Sequence, residues 1–167
     1  NTELINFFEK SPDNFRWNNF YNHPNEPVHQ VPFMFNEAGM PWLTQKWTRK
    51  ISKNAYGSGV MGLCGNDDVG QLSAWYVLSA MGIHPICPGD NKYQVTSPVF
   101  NKIEISLDKE YYNGNKFTII ANNNSSENIY IQSMQLNGKP LNRFWISHQE
   151  IIAGGTLALE MGPHPFK

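Results

Sequence analysis

Gly65-Asn66-Asp67-Asp68-Val69-Gly70-Gln71-Leu72-Ser73-Ala74-Trp75-Tyr76-Val77-Leu78-Ser79-Ala80-Met81-Gly82 decides how this chain is read. From about Asp68 to Met81 the pattern predicts a buried helix, with Gly82 placed to end it. Two adjacent carboxylates therefore stand where that helix begins. Its unpaired N–H groups and positive dipole end favour an ionised carboxylate there. A carboxylate held against a protein wall can take a proton from water. The same residues also suit a plain N-cap, since Asn and Asp are favoured in that role. The neighbouring glycines tilt the balance towards a ligand site. Gly65 permits an unusual backbone angle, and Gly70 leaves room beside the helix start.

Upstream, Gly57, Gly59, Gly62 and Gly65 make residues 54–65 a tight, surface-hugging loop. Before it, Phe33, Met34, Trp42, Trp47 and Ile51 recur at helical spacing with few strand signals. Gly39 followed by Pro41 ends one helix and starts the next. The expectation for residues 1–84 is a helical hairpin, a loop with the acidic site, and one more helix. Downstream, residues 85–91 form a turn-rich linker through Pro85, Pro88 and Gly89. From 92 to 167 the period becomes two: Ile103, Ile105 and Leu107 alternate with Glu104 and Ser106. Residues 117–121 and 129–132 are strand-like, Asn137-Gly138 signals a hairpin, Ser147 and Glu150 fit a capping box, and residues 156–161 read as a last strand. Short strands at this spacing predict an antiparallel sandwich. The fold class is α+β.

A second polar cluster is Asn25-Glu26-Pro27-Val28-His29-Gln30. Pro24 and Pro27 hold Asn25-Glu26 extended, and Glu26 then opens the next helix, with His29 and Gln30 in its first turn. Taken alone this is capping and turn chemistry. As a set, Asn25, Glu26, His29 and Gln30 offer the polar groups a sugar ring needs, and their oxygens equally suit a hard cation such as Ca²⁺. Trp17, Trp42, Trp47, Trp75 and Trp145 are mostly core by their size, with room for one to line a sugar site.

With a net charge of −1 and only 16% charged residues, the 167-residue chain has no basic run or face, so nucleic acid is not an expected partner. No stretch approaches the roughly 20 apolar residues of a membrane span. Cys64 and Cys87 alone make neither a zinc site nor a disulfide framework. Nucleotide fingerprints and a Ser nucleophile elbow are absent. Asn1-Thr2-Glu3-Leu4-Ile5 reads as the middle of a helix, so the chain is expected to be a piece of a longer enzyme.

Three stretches in order resemble the C-terminal part of glycoside hydrolase family 92, the calcium-dependent exo-acting α-mannosidases: Asn25 to Gln30 running on through Asn36-Glu37-Ala38-Gly39-Met40-Pro41-Trp42-Leu43-Thr44-Gln45; residues 65–76; and Gly82-Ile83-His84-Pro85 with Cys87-Pro88-Gly89. The tail resembles the family's end at Leu136-Asn137-Gly138-Lys139 and Gly154-Gly155-Thr156-Leu157. The resemblance implies the last part of an (α/α) helical barrel followed by an antiparallel β-sandwich-like region. It implies release of terminal α-linked mannose, α-1,2 first, with inversion. Asp68 takes the general-base position, and Asn66 a base-assisting position that is Asp in some members. Glu26 takes a mannose-contacting position. Asn25 departs from the His of many α-1,2-specific members, and Gln30 replaces a commoner His. Ca²⁺ is the implied cofactor, with Asn25, Glu26 and Asp68 as its candidate ligands here. The family's general acid lies in a Glu-Gly-Asn-Ala-Trp-like segment that this chain lacks; Glu3, Glu9 and Glu37 have the wrong neighbours. The isolated chain is therefore expected to be inactive. Its expected partners are an α-mannoside glycan and the remainder of the parent chain, and its expected location is periplasmic or secreted. A different class, a non-catalytic carbohydrate-binding or structural β-sandwich lobe, expects sugar binding that survives Asp68→Asn.

Overall fold

The computed structural model describes residues 2–166. Helix α1 (Thr2–Glu9) leads into a loop, then two 3-10 turns, Glu26–Val28 and Val31–Phe33. A single helical turn, α2 (Met34–Glu37), and the longer helices α3 (Pro41–Asn54) and α4 (Gln71–Met81) follow. The expected helix ending at Gly39 is thus mostly 3-10 turns. Pro27 and Pro32 supply no amide for an α-helical ladder, and each sits at the start of a 3-10 turn. His29 and Gln30 accordingly stand at the joint between the two turns rather than in a first helical turn. Gly39 (φ 72°) and Pro41, the first residue of α3, make the stop and restart that the sequence predicts.

The strand region contains β1 (Ile83–His84), β2 (Lys92–Val95), β3 (Lys102–Ser106), β4 (Lys116–Asn122), β5 (Tyr130–Leu136), β6 (Lys139–Pro140), β7 (Trp145–Ser147) and β8 (Gly155–Gly162), with one short helix, α5 (His148–Ile152). One sheet has the order β1-β2-β7 and the other β3-β4-β8-β5-β6. Every pair is antiparallel except β4 with β8, which run parallel, Phe117 opposite Gly155 through Asn122 opposite Glu160. A parallel pair needs a long crossover. Here β5 to α5 provide it, which short-range patterning does not reveal. Asn137 (φ 52°) and Gly138 (φ 76°) form the expected tight hairpin. The Asn137 side chain also accepts the Thr156 amide at 2.8 Å, pinning the hairpin to β8. Ser147 and Glu150 form the full capping box at α5.

Two hydrophobic clusters hold the molecule. Phe8, Tyr21, Phe33, Phe35, Trp47 and Trp75 centre the helical one. Phe117, Ile119, Ile131, Ile146, Leu157 and Leu159 centre the strand one. Buried polar bonds join them. The Asn36 amide donates to Gln94 Oε1 (3.0 Å) and to the backbone carbonyls of Val95 (3.1 Å) and Phe144 (3.2 Å). Gln45 Oε1 of α3 accepts the Ile131 amide of β5 at 2.9 Å, where the ladder shifts register. Each buried group left unpaired would cost about 1–3 kcal/mol, so these contacts set where the helices sit on the sheets.

Candidate active site

The loop before α4 folds differently from the plain helix start expected of it. Asp68 (φ 47°), Val69 (φ 60°) and Gly70 (φ 92°) are three successive left-handed residues, and the helix begins only at Gln71. A β-branched residue at positive φ is a true outlier, and Val69 is fully solvent-exposed there. The two acids consequently part company. Asp67 caps the helix: Oδ1 accepts the Ser73 amide at 2.8 Å, and Oδ2 accepts the Ser73 hydroxyl at 2.9 Å. Asp68 is exposed, and among the described residues no side chain or amide donates to its carboxylate. Asp67 thus takes the capping role, and Asp68 is left outside it. Asn66 is exposed on the same loop.

This loop is pressed against the second polar cluster. A Cβ on Gly65 would lie 2.7 Å from Pro24 Cβ and 3.0 Å from Pro24 Cα, so only glycine lets the backbones approach this closely. Pro24 directly precedes Asn25 and Glu26. Asn25 precedes the first 3-10 turn in extended conformation, its carbonyl accepting the Val28 amide at 3.1 Å. Glu26 and Gln30 are exposed, whereas His29 is 2% exposed. Burial pulls the His29 pKa down. Its bond to the His23 carbonyl and the nearby carboxylates of Glu26 and Asp68 pull it up. The charges of Glu26 and Asp68, 42 positions apart, thus both act on one imidazole.

The hydrogen bonds fix each ring's proton. Tyr56 donates its hydroxyl to the Leu72 carbonyl at 2.9 Å, so it accepts from His23 Nε2 at 2.6 Å; His23 Nδ1 then accepts from the Tyr21 hydroxyl at 2.7 Å. His29 donates from Nε2 to the His23 carbonyl (2.9 Å) and accepts at Nδ1 from the Gln71 amide (3.3 Å). Trp75 Nε1 donates to the His29 carbonyl at 2.9 Å. His84 donates from Nδ1 to the Pro85 carbonyl (2.6 Å) and stacks on Phe33 at 4.3 Å. Burial lowers the pKa of His23 to about 2 and that of His84 to about 4. The imidazoles around the site are therefore neutral near pH 7.

An open groove of about 530 Å³ results, walled by Glu26, His29, Gln30, Gln71, Trp75 and His84. Glu26, His29 and Gln30, singled out from sequence, line it; Asn25, Asn66 and Asp68 are not in its wall. Gln71, Trp75, His84 and the Tyr21–His23–Tyr56 relay were not singled out as site residues. Gln71 and Trp75 lie in the stretch that decides the reading, but helix periodicity assigns them to packing. The relay joins residues scattered from 21 to 72, and nothing local marks it.

Among the described residues no three of His, Cys, Asp and Glu gather to hold a metal ion. The oxygens of Asn25, Glu26 and Asp68 are hard donors of the kind Ca²⁺ takes, but they fall short of its six to eight ligands.

The model of the "Glycosyl hydrolase family 92 catalytic domain" matches residues 1–163. An "Uncharacterized secreted glycosidase" of Arthroderma benhamiae is 36% identical over 83% of this chain and 18% of its own length. The family GH92 α-mannosidase BT3965 of Bacteroides thetaiotaomicron superposes with a TM-score of 0.86 at 30% identity, over 98% of this chain and 21% of that one. The family GH92 inverting mannosidase BT2199 of the same organism gives 0.80 at 39% identity, over 87% and 19%. The chain thus spans about a fifth of the length of the relatives it matches. With the family model covering nearly every residue and two solved relatives sharing its fold, this chain belongs to glycosyl hydrolase family 92.

Proposed function

We propose that this chain supplies the base side of an active site that removes terminal α-linked mannose, α-1,2 in the first instance, with inversion of configuration. One observation carries the reading: Gly65 packs on Pro24, which brings the loops of Glu26 and Asp68 together, and the charge of both carboxylates acts on His29 in the wall of an open polar groove. Similarity to solved mannosidases supports the substrate class, and the name of the Arthroderma relative supports a secreted location. No helix among the described residues is long and apolar enough to cross a membrane.

Inversion needs a base on the attacking water and an acid on the leaving oxygen, about 6.5–9.5 Å apart. The Asp68 carboxylate takes the water proton. Its left-handed backbone holds it clear of the α4 N–H groups, and Asp67 satisfies one of those in its place. His29 cannot compete as base, because its Nε2 carries the proton it donates and its Nδ1 already accepts from Gln71. Glu26 and Gln30 face the groove to bind sugar hydroxyls, and Asn66 assists the base through its amide without adding charge. Asn25, Glu26 and Asp68 would hold part of a calcium shell, Asp68 through water. Calcium, when bound, supplies a hard centre for sugar hydroxyls that favours a flattened ring.

The acid comes from elsewhere in a longer parent chain. Glu9 is paired with Lys46 (2.6 Å), Glu37 accepts from Gln94 (2.8 Å), and neither lines the groove. General acid catalysis is worth ~10²–10⁴ in rate, so the isolated chain should turn over no α-mannoside. The test is release of mannose by the full-length parent from α-1,2-, α-1,3- and α-1,6-linked mannobiosides, with Ca²⁺ and with a chelator. Calcium-dependent release from at least one linkage supports the reading. Turnover by the 167-residue chain alone, or no release by the folded parent, overturns it.

A further inference from the structure

Arg49 of α3 is a half-buried cation without a counter-charge. Its guanidinium donates to three neutral oxygens: the Pro98 carbonyl, Asn124 Oδ1 (2.6 Å) and the Ser125 carbonyl (3.2 Å). Its Nε is buried with no acceptor among the described residues, and no carboxylate of those residues pairs with it. Burying a charge without an opposite one is costly, so the arrangement calls for an anion. Burial also lowers the Arg49 pKa to about 10, which leaves it charged near pH 7.

Arg49 lines a cavity of about 420 Å³ that shares no residue with the active-site groove. Lys53, one helical turn on, lines it too. So do Ser52, Tyr76, Asn101, Asn124, Ser125 and Ser126. No Asp or Glu is in its wall; Glu127, next to Ser126 in sequence, lies outside it. Two cations, four hydroxyl-bearing residues, two asparagines and no acid form a lining suited to an oxyanion, and one with little to offer a neutral sugar over water.

We propose that this cavity is an oxyanion-binding site, separate from the hydrolytic groove, that takes a phosphate or sulfate group such as a charged glycan carries. The same chemistry has a second source, a carboxylate from the remainder of a longer chain, and the test separates the two. The inference stands apart from the mannosidase reading, because none of its residues is placed in catalysis.

Inorganic phosphate, sulfate and methyl α-mannoside are titrated separately into the 167-residue chain at constant ionic strength, following the backbone amides of Ser52, Lys53, Asn101 and Ser126 by NMR. Saturable shifts with phosphate or sulfate and none with the mannoside are expected. Lys53 is exposed, so Lys53→Glu should leave the fold intact and weaken binding at least about tenfold through reversal of a unit charge; Lys53→Arg should restore it. The same titration on the parent chain identifies the source. Binding kept there means a dissolved oxyanion, and binding lost there means a carboxylate of the parent already fills the site. Shifts that do not saturate, that ignore Lys53→Glu, or that follow the mannoside instead would overturn the proposal.

Discussion

The two hydrophobic clusters are built from different materials. The strand cluster is aliphatic almost throughout, with Ile119, Ile146, Leu157 and Leu159 entirely buried beside Phe117. The helical cluster buries aromatic rings together with polar groups: His23, Thr44 and Thr48 are each at most 1% exposed, and His29 and Gln45 2%. Aliphatic packing is non-directional and tolerates repacking. A buried polar network permits one arrangement, because each misplaced donor is costly. The strand cluster thus supplies bulk stability, whereas in the helical region His23 and His29 help to fix where Glu26 and Asp68 stand. The relay makes this concrete. His23 carries the loop of Glu26, Tyr56 links it to Leu72, and the Leu72 amide bonds the Asp67 carbonyl at 3.2 Å, one residue from Asp68.

The comparison breaks most sharply if it is wrong about the strand core. Phe117→Ala should cost about 3–5 kcal/mol in a denaturant melt, while the superposable geometry of the groove loops, read from Trp75 and His29 resonances, stays unchanged in the folded fraction. A change in the loops as large as the change in stability would mean that the two regions do not divide the labour. Tyr56→Phe sits on the other side of the contrast. It leaves His23 Nε2–H without its acceptor and should cost about 1–3 kcal/mol. Its mark is local: faster hydrogen exchange at the amides of Asn25, Val28, His29 and Leu72 with the strand amides unmoved.

Stability also depends on pH. The folded-state pKa values of His23 and His84 lie below the ordinary value of 6.5. A group so depressed stabilises the fold fully above its unfolded pKa, and that contribution drains away as pH falls towards the folded one. Stability should therefore decline from about pH 6.5 downward, with His84 protonating near 4 and His23 holding out to about 2. Imidazole resonances followed by NMR would show this. A His23 ring that titrates near 6.5 would mean that the relay is open to water.

Much of this was legible in the residues. Pro41 and Gly82 bound α3 and α4 through their backbone geometry, Asn137-Gly138 closed its hairpin, and Ser147 with Glu150 capped α5, because each signal is local. The polar cluster at 25–30 was visible as chemistry, and Glu26, His29 and Gln30 do line the groove. What escaped was long-range or degenerate. The parallel pairing of β4 with β8 is decided by packing across the whole strand region. Which of two adjacent aspartates caps α4 and which turns outward depends on three left-handed residues that only Gly70 announces. The 3-10 turns replaced a helix because two prolines withheld amides, a signal present but outweighed by apolar spacing.

That division between Asp67 and Asp68 is the central claim, and the most direct measurement compares Asp67→Asn with Asp68→Asn in the full-length parent by kcat on an α-mannobioside and by thermal melting. Asp68→Asn should lower kcat by ~10²–10⁴ with the melt unmoved. Asp67→Asn should cost about 1 kcal/mol of stability as a weakened cap and keep most of the activity. The reverse pattern, with Asp67 controlling turnover and Asp68 controlling only the melt, would contradict the account.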